Sequence, residues 1–98
     1  MAIVAAVRVA IWDLEKETEN VRRHGVDFHE ATRAAVDPLA RRWPDRDHSM
    51  HEERTKVIGY STSGRLLTVV TTDADDGTLR IISAWRATKR ERHDYEER

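Results

Sequence analysis

Between Arg54 and Trp85 the chain leaves no room for a crossover helix, and that restricts its topology more than any other feature. Arg54 to Tyr60 and Arg65 to Thr72 are rich in Val, Ile, Leu and Thr, and only Ser61-Thr-Ser-Gly64 separates them. Asp73 to Gly77, a tight acidic turn, then leads into Thr78-Leu-Arg-Ile-Ile-Ser-Ala-Trp85. Parallel neighbours need a connection of roughly a dozen residues or more, so turns this short permit only antiparallel pairing. Leu39 to Trp43, closed by Pro44, supplies a further edge strand, since proline cannot donate to a ladder. The expectation is four consecutive antiparallel strands in an α+β layer fold, not alternating βαβ units.

Helices fill the two ends of the chain. Asp13 is placed to cap a helix running to His24, stopped by Gly25 in the usual C-terminal position. Leu14 and Val21 lie one heptad apart and give this helix a thin apolar stripe. A second helix runs from Asp27 or Phe28 to Val36, with Ala31, Ala34 and Ala35 allowing close packing. Asp37-Pro38 ends it, because a residue before proline avoids the helical region. Thr88, three residues ahead of Glu91, forms a Ser/Thr-x-x-Glu capping box, so a closing helix is expected over 88–96. Val7 to Trp12 reads as a first short strand and 1–6 as an extension ahead of it, all within one domain spanning 1–98.

The 98 residues carry 17 basic and 18 acidic side chains for a formal charge of −1, so any nucleic-acid role must come from local clustering. Cysteine is absent, which excludes disulfides and thiolate metal sites. Met1 to Ile11 is apolar but lacks a basic leader region and is too short to span a bilayer. A cytoplasmic protein is expected.

Four groups of residues bear on chemistry. Arg22-Arg23-His24-Gly25 closes the first helix; cations there offset the helix dipole, yet His24 can also exchange protons near neutrality beside phosphate-binding arginines. Asp47-His48-Ser49-Met50-His51-Glu52-Glu53-Arg54 matches no zinc spacing and reads as a solvated loop from which His48 could reach the sheet as acid or base. Arg54, Arg65, Arg80 and Arg86 lie on or at the ends of strands, and strict alternation puts Arg80 and Arg86 on one face with Ile82 and Ala84. Together with free N–H groups where the last helix begins, they form an anion-binding patch. Trp12, Trp43 and Trp85 read first as core anchors, with base stacking open to whichever is exposed. No glycine-rich phosphate loop, nucleophile elbow or metal-nuclease motif is present. An enzyme built from this inventory needs no metal or other cofactor. RNA scission by the substrate's own 2′-hydroxyl fits it, with the protein supplying a proton acceptor, a proton donor and cations for the phosphorane.

Trp12-Asp13, Lys16, Asn20, Arg23-His24-Gly25-Val26 and Phe28 resemble the opening of the BrnT toxin family. Asp37-Pro38, His48-Ser49, Glu53-Arg54, Ile58-Gly59 and Gly64-Arg65 continue the pattern in order. Arg80-Ile-Ile-Ser-Ala84, Arg86-Ala-Thr88 and Glu91 to Tyr95 complete it, so the likeness spans about 11–97. The resemblance implies a RelE-like fold of one strand, two helices, a four-stranded antiparallel sheet and a C-terminal helix. It implies a ribonuclease toxin of a type II toxin–antitoxin pair that inhibits translation by cutting RNA. A ribbon-helix-helix antitoxin would be its partner, in a heterotetramer, with DNA contacted only through the antitoxin. The candidate catalytic residues are His24, His48, Arg54, Arg80 and Arg86, and the candidate RNA- and phosphate-binding residues are Lys16, Arg23, Arg65, Thr88 and Arg90. His24 or His48 would transfer the proton.

Two departures from the family's pattern stand out. Trp85 stands where an arginine usually follows Ile-Ser-Ala, and Thr72-Asp73 replaces a usual Glu-Arg pair ahead of an acidic turn. Each lost phosphate contact would weaken RNA binding. The rival reading is accordingly a toxin-fold protein weakened in catalysis that serves as antitoxin partner and co-repressor.

Overall fold

In the computed structural model, residues 9–46, 53–73 and 77–97 are described. The readings made on His48, His51 and the acidic turn over 74–76, and on the first eight residues, lie outside them. A five-stranded mixed sheet is built from β1 (Ala10–Ile11), β2 (Arg41–Pro44), β3 (Thr55–Tyr60), β4 (Leu66–Asp73) and β5 (Leu79–Arg86). Three helices complete the fold: α1 (Leu14–His24), α2 (Phe28–Ala35) and α3 (Lys89–Glu96). Spatial order is β1-β5-β4-β3-β2. The four later strands pair antiparallel, as the short turns require, whereas β1 lies parallel to β5 through Ala10 and Ile11. Among the described residues no helix is long and apolar enough to cross a membrane.

The core lies between α2 and one sheet face. Phe28, Ala31, Ala34 and Ala35 of α2 close over Val57, Leu67, Val69, Leu79, Ile81 and Ala84, with Val26 beneath the α1–α2 turn. Small alanines let α2 approach so closely that Gly59 of β3 has no room for a Cβ, which would collide with the Ala34 carbonyl oxygen. Gly25, at φ 69°, takes the left-handed turn that ends α1 and donates its N–H to Val21 O at 2.8 Å. Glu17 then stitches three elements together. It accepts from the Trp12 indole at 3.0 Å and from the Phe28 N–H at 2.8 Å, where α2 begins.

Two expectations are overturned. Leu14 and Val21 do not form a buried stripe: Leu14 is 73 % exposed and Val21 44 %, while the buried residue of α1 is Asn20 at 5 %. The cause is position, since α1 packs on β5 at the rim of the sheet and α2 occupies the face. Nor does β5 alternate strictly. Val70 pairs with Ser83 but Thr71 pairs with Ile81, so Ile82 is an extra residue in a β-bulge. A bulge reverses which side chains share a face. Leu79, Ile81 and Ala84 therefore all enter one core, and Arg80 and Arg86 point to opposite sides of the sheet.

The second face carries α3. Its Tyr95 ring meets Tyr60 edge-on at 5.8 Å and receives Arg41 5.6 Å above its centre. Glu91 anchors the helix from its other end. The carboxylate accepts from Thr68 Oγ1 at 2.9 Å, Trp85 Nε1 at 3.1 Å and the Thr88 N–H at 2.9 Å, with Lys56 Nζ at 3.5 Å. Burial alone would raise this carboxyl, but those donors and the lysine outweigh it and hold it below the ordinary carboxylate range.

Candidate active site

A helix docked on a sheet rim needs a way to satisfy the strand's outward backbone groups, and Asn20 supplies it. Its Oδ1 accepts the Ala84 N–H at 3.1 Å while its Nδ2 donates to Ala84 O at 2.8 Å and to Val26 O at 2.9 Å. The carboxamide thus substitutes for a neighbouring strand where β1 has ended. Because 3.6 residues make a turn, side chains three or four positions away share this face. Lys16 precedes Asn20 by one turn, and Arg23 and His24 follow it by one. All three therefore look onto β5, where with Ile82 and Ser83 they line a concavity of about 360 Å³.

Arg80 lies next to this groove and not in it. It borders a smaller adjoining hollow of about 170 Å³ with Asp13, Lys16 and Ile82, so Lys16 belongs to both. Glu19 is the carboxylate that lines the main groove. Arg22 grips it through Nε at 3.1 Å and Nη2 at 2.6 Å, and that hydrogen bonding lowers its pKa. Lys16, Arg23 and His24 form no ion pair among the described residues and are exposed. Above the groove, the His24 and Trp85 ring centres are 6.1 Å apart with planes inclined by 48°. Here are cations, an imidazole and the Ser83 hydroxyl in one open track, the equipment for holding a phosphodiester and moving a proton. Among the described residues no three acidic or histidine side chains gather to hold a metal ion.

A family profile described as the ribonuclease toxin BrnT of type II toxin–antitoxin systems matches residues 12–91. The chain belongs to the BrnT family. Among solved structures it is similar to the Brucella abortus ribonuclease toxin BrnT, with a TM-score of 0.67 and 23 % identity over 85 % of this chain and all of that one. At that identity the likeness speaks for the fold. A search of curated proteins finds no significant match.

The other residues marked by the BrnT pattern are distributed differently from the expected patch. Arg54 sits just before β3, and Thr55 pairs with Thr71 while Arg80 pairs with Thr72. Arg54 and Arg80 are thus at the same end of the sheet, two strands or roughly 10 Å apart. Arg65 and Arg86 are at the opposite end, beside Leu66 and Leu67. Four arginines do not make one site. Arg65 is also committed elsewhere: its guanidinium is bonded to both Glu30 oxygens and donates to Gly25 O at 3.1 Å, tying the hairpin to the α1–α2 turn. Glu30 further accepts from Ser61 at 2.8 Å and Ser63 at 2.7 Å, and the Arg65 hydrogen bond leads in bringing its pKa down to about 2.

The start of α3 already holds a carboxylate of the protein's own. Thr88 Oγ1 accepts the Glu91 N–H at 3.1 Å and Glu91 receives the Thr88 N–H, so the capping box puts the protein's own carboxylate there. Arg86 and Arg90 are exposed. Asn20 and Ser83 are missed from the sequence as part of the site. The signal for Asn20 is present, because Lys16, Asn20, Arg23 and His24 recur at helical spacing where an apolar stripe would be expected.

Proposed function

We propose that this BrnT-family chain is a metal-independent endoribonuclease that cleaves RNA and thereby inhibits translation. What supports the reading best is the polar stripe of α1, clipped by Asn20 against β5, so that Arg23, His24 and Ser83 border one hollow, Arg80 borders a second, and Lys16 and Ile82 border both. In that groove His24 takes the proton of a ribose 2′-hydroxyl as its oxygen attacks the adjacent phosphorus. The 5′ oxygen leaves and receives a proton from a second donor, for which His48 is the candidate. Lys16, Arg23 and Arg80 offset the negative charge that grows on the phosphoryl oxygens. Arg54 and Arg86, at either end of the sheet, extend contacts to neighbouring phosphates. A RelE-like fold, a cytoplasmic setting and a ribbon-helix-helix antitoxin that carries the DNA contact belong to the same proposal.

One observation favours the rival, a toxin fold kept as antitoxin partner and co-repressor. Trp85 takes the place of an expected positive charge, and Glu91 lies against its indole. The test is incubation of purified protein with RNA in EDTA at low salt, alongside growth arrest on expression without antitoxin. Cleavage is expected, with His24→Ala slowing it by roughly 10²- to 10⁴-fold, the usual contribution of a proton-transfer group. Intact RNA together with normal growth would leave only the partner role.

A further inference from the structure

Resting on that RNA reading, we propose that Trp85 is the platform on which an unpaired nucleobase stacks, so that the groove selects single-stranded RNA. Of the three tryptophans, Trp85 is the one beside the basic track. Trp12 is spent on edge-on packing against Phe28 and His29, at 6.1 and 4.8 Å. Trp43 lies on β2, the far rim of the sheet from β5. Trp85, in contrast, shares its β5 face with Ser83 past the bulge, and Ser83 lines the groove with Lys16, Arg23 and His24.

The ring is held ready. Its polar edge is already satisfied, with Nε1 donating to Glu91 at 3.1 Å, and Glu91 is itself fixed by Thr68 and the Thr88 N–H. An indole anchored by its edge keeps its orientation and has little rotamer freedom left to lose on binding. The ring is half-buried, and His24 approaches it at 48°, so neither ring uses up the other's π-face by stacking. A basic groove with an aromatic face at its side is the general arrangement for single strands, because every base offers a π-surface. Tryptophan in place of arginine exchanges a phosphate contact, blind to strandedness, for a contact that a duplex hides inside its stack.

The experiment measures binding of an uncleavable 2′-O-methyl single strand, and of the same sequence as a duplex, to wild type, Trp85→Ala and Trp85→Phe. Trp85→Ala is expected to weaken single-strand binding by roughly 5- to 140-fold, the range for one lost base stack, and to leave duplex binding unchanged. Trp85→Phe, which keeps a ring and loses the bond to Glu91, should retain most of the affinity. Tryptophan fluorescence gives an independent readout if Trp85→Ala folds poorly: the single strand should quench wild type but not Trp85→Phe. Equal losses on both RNAs, or the same quench in both proteins, would overturn the proposal. If wild type cleaves RNA while Trp85 proves silent, stacking fails and the enzyme stands. If wild type binds neither RNA, the RNA reading fails and stacking with it.

Discussion

Replacing Asn20 with alanine tests whether α1 is held at the sheet rim by one side chain. The substitution deletes three hydrogen bonds, at 2.8, 2.9 and 3.1 Å, and leaves the Ala84 N–H, the Ala84 carbonyl and the Val26 carbonyl without their partner. A neutral hydrogen bond is worth ~1 kcal/mol net and an unmet buried group costs ~1–3 kcal/mol, so a loss of ~3–5 kcal/mol is expected after some water reaches the rim. Set against a typical domain stability of ~5–15 kcal/mol, that is a large fraction. With a urea slope of ~1–3 kcal/mol per molar, the unfolding midpoint should fall on the order of 2 M. RNA cleavage should fall further than the folded fraction accounts for, because Lys16, Arg23 and His24 lose their register against β5. Asn20→Asp sharpens the case. It keeps the acceptor for the Ala84 N–H but aims a carboxylate at two carbonyl oxygens, which raises the pKa of the introduced group in the folded state. A raised folded pKa means stability is present at low pH and lost as pH rises through it, so this variant should be less destabilised at pH 5 than at pH 8. A loss below ~1 kcal/mol for Asn20→Ala, with cleavage unchanged, would refute the clip.

Three further outcomes follow from the geometry. Glu30, held at a pKa of about 2 against an ordinary 4.5, stabilises the fold fully above about pH 4.5 and ceases to as pH falls toward 2. Urea midpoints over that window should show a loss of roughly 1–2 kcal/mol, allowing for screening at a partly open site, and Glu30→Gln should flatten this part of the curve. Gly59→Ala would drive a methyl into the Ala34 carbonyl and to 2.9 Å from the Ala40 Cβ, so it should cost ~1–3 kcal/mol or more by thermal melting. Lys16→Ala and Arg23→Ala should each flatten the dependence of log affinity on log salt by ~0.7 for a single strand, and an unchanged slope would remove that side chain from the phosphate path.

Local chemistry alone is enough to mark most of the elements. Asp13, Gly25, Asp27 and the Thr88–Glu91 box define helix ends through hydrogen bonds that need only near neighbours. The turns at Ser61–Gly64 and after Asp73 force antiparallel pairing because they are too short for anything else. The same logic misleads on α1, where Leu14 and Val21 have the spacing of an inward stripe. Periodicity tells which residues share a face, but it does not say whether that face meets the sheet or solvent.

The sequence by itself determined the element order, the helix caps, the antiparallel ribbon and the membership of Lys16, Arg23, His24 and Arg80 in one chemical inventory. Tertiary structure alone decided which of them meet. The bulge at Ile82, visible only as a skipped pairing between β4 and β5, sends Arg80 and Arg86 to opposite faces. Glu30, 35 positions away in the chain, engages the Arg65 guanidinium through both carboxylate oxygens. Asn20 reaches 64 positions forward to Ala84 and turns a polar helix face into one wall of a groove. Each of these is a contact between distant segments, and a contact of that kind has no energy until the chain has folded around it.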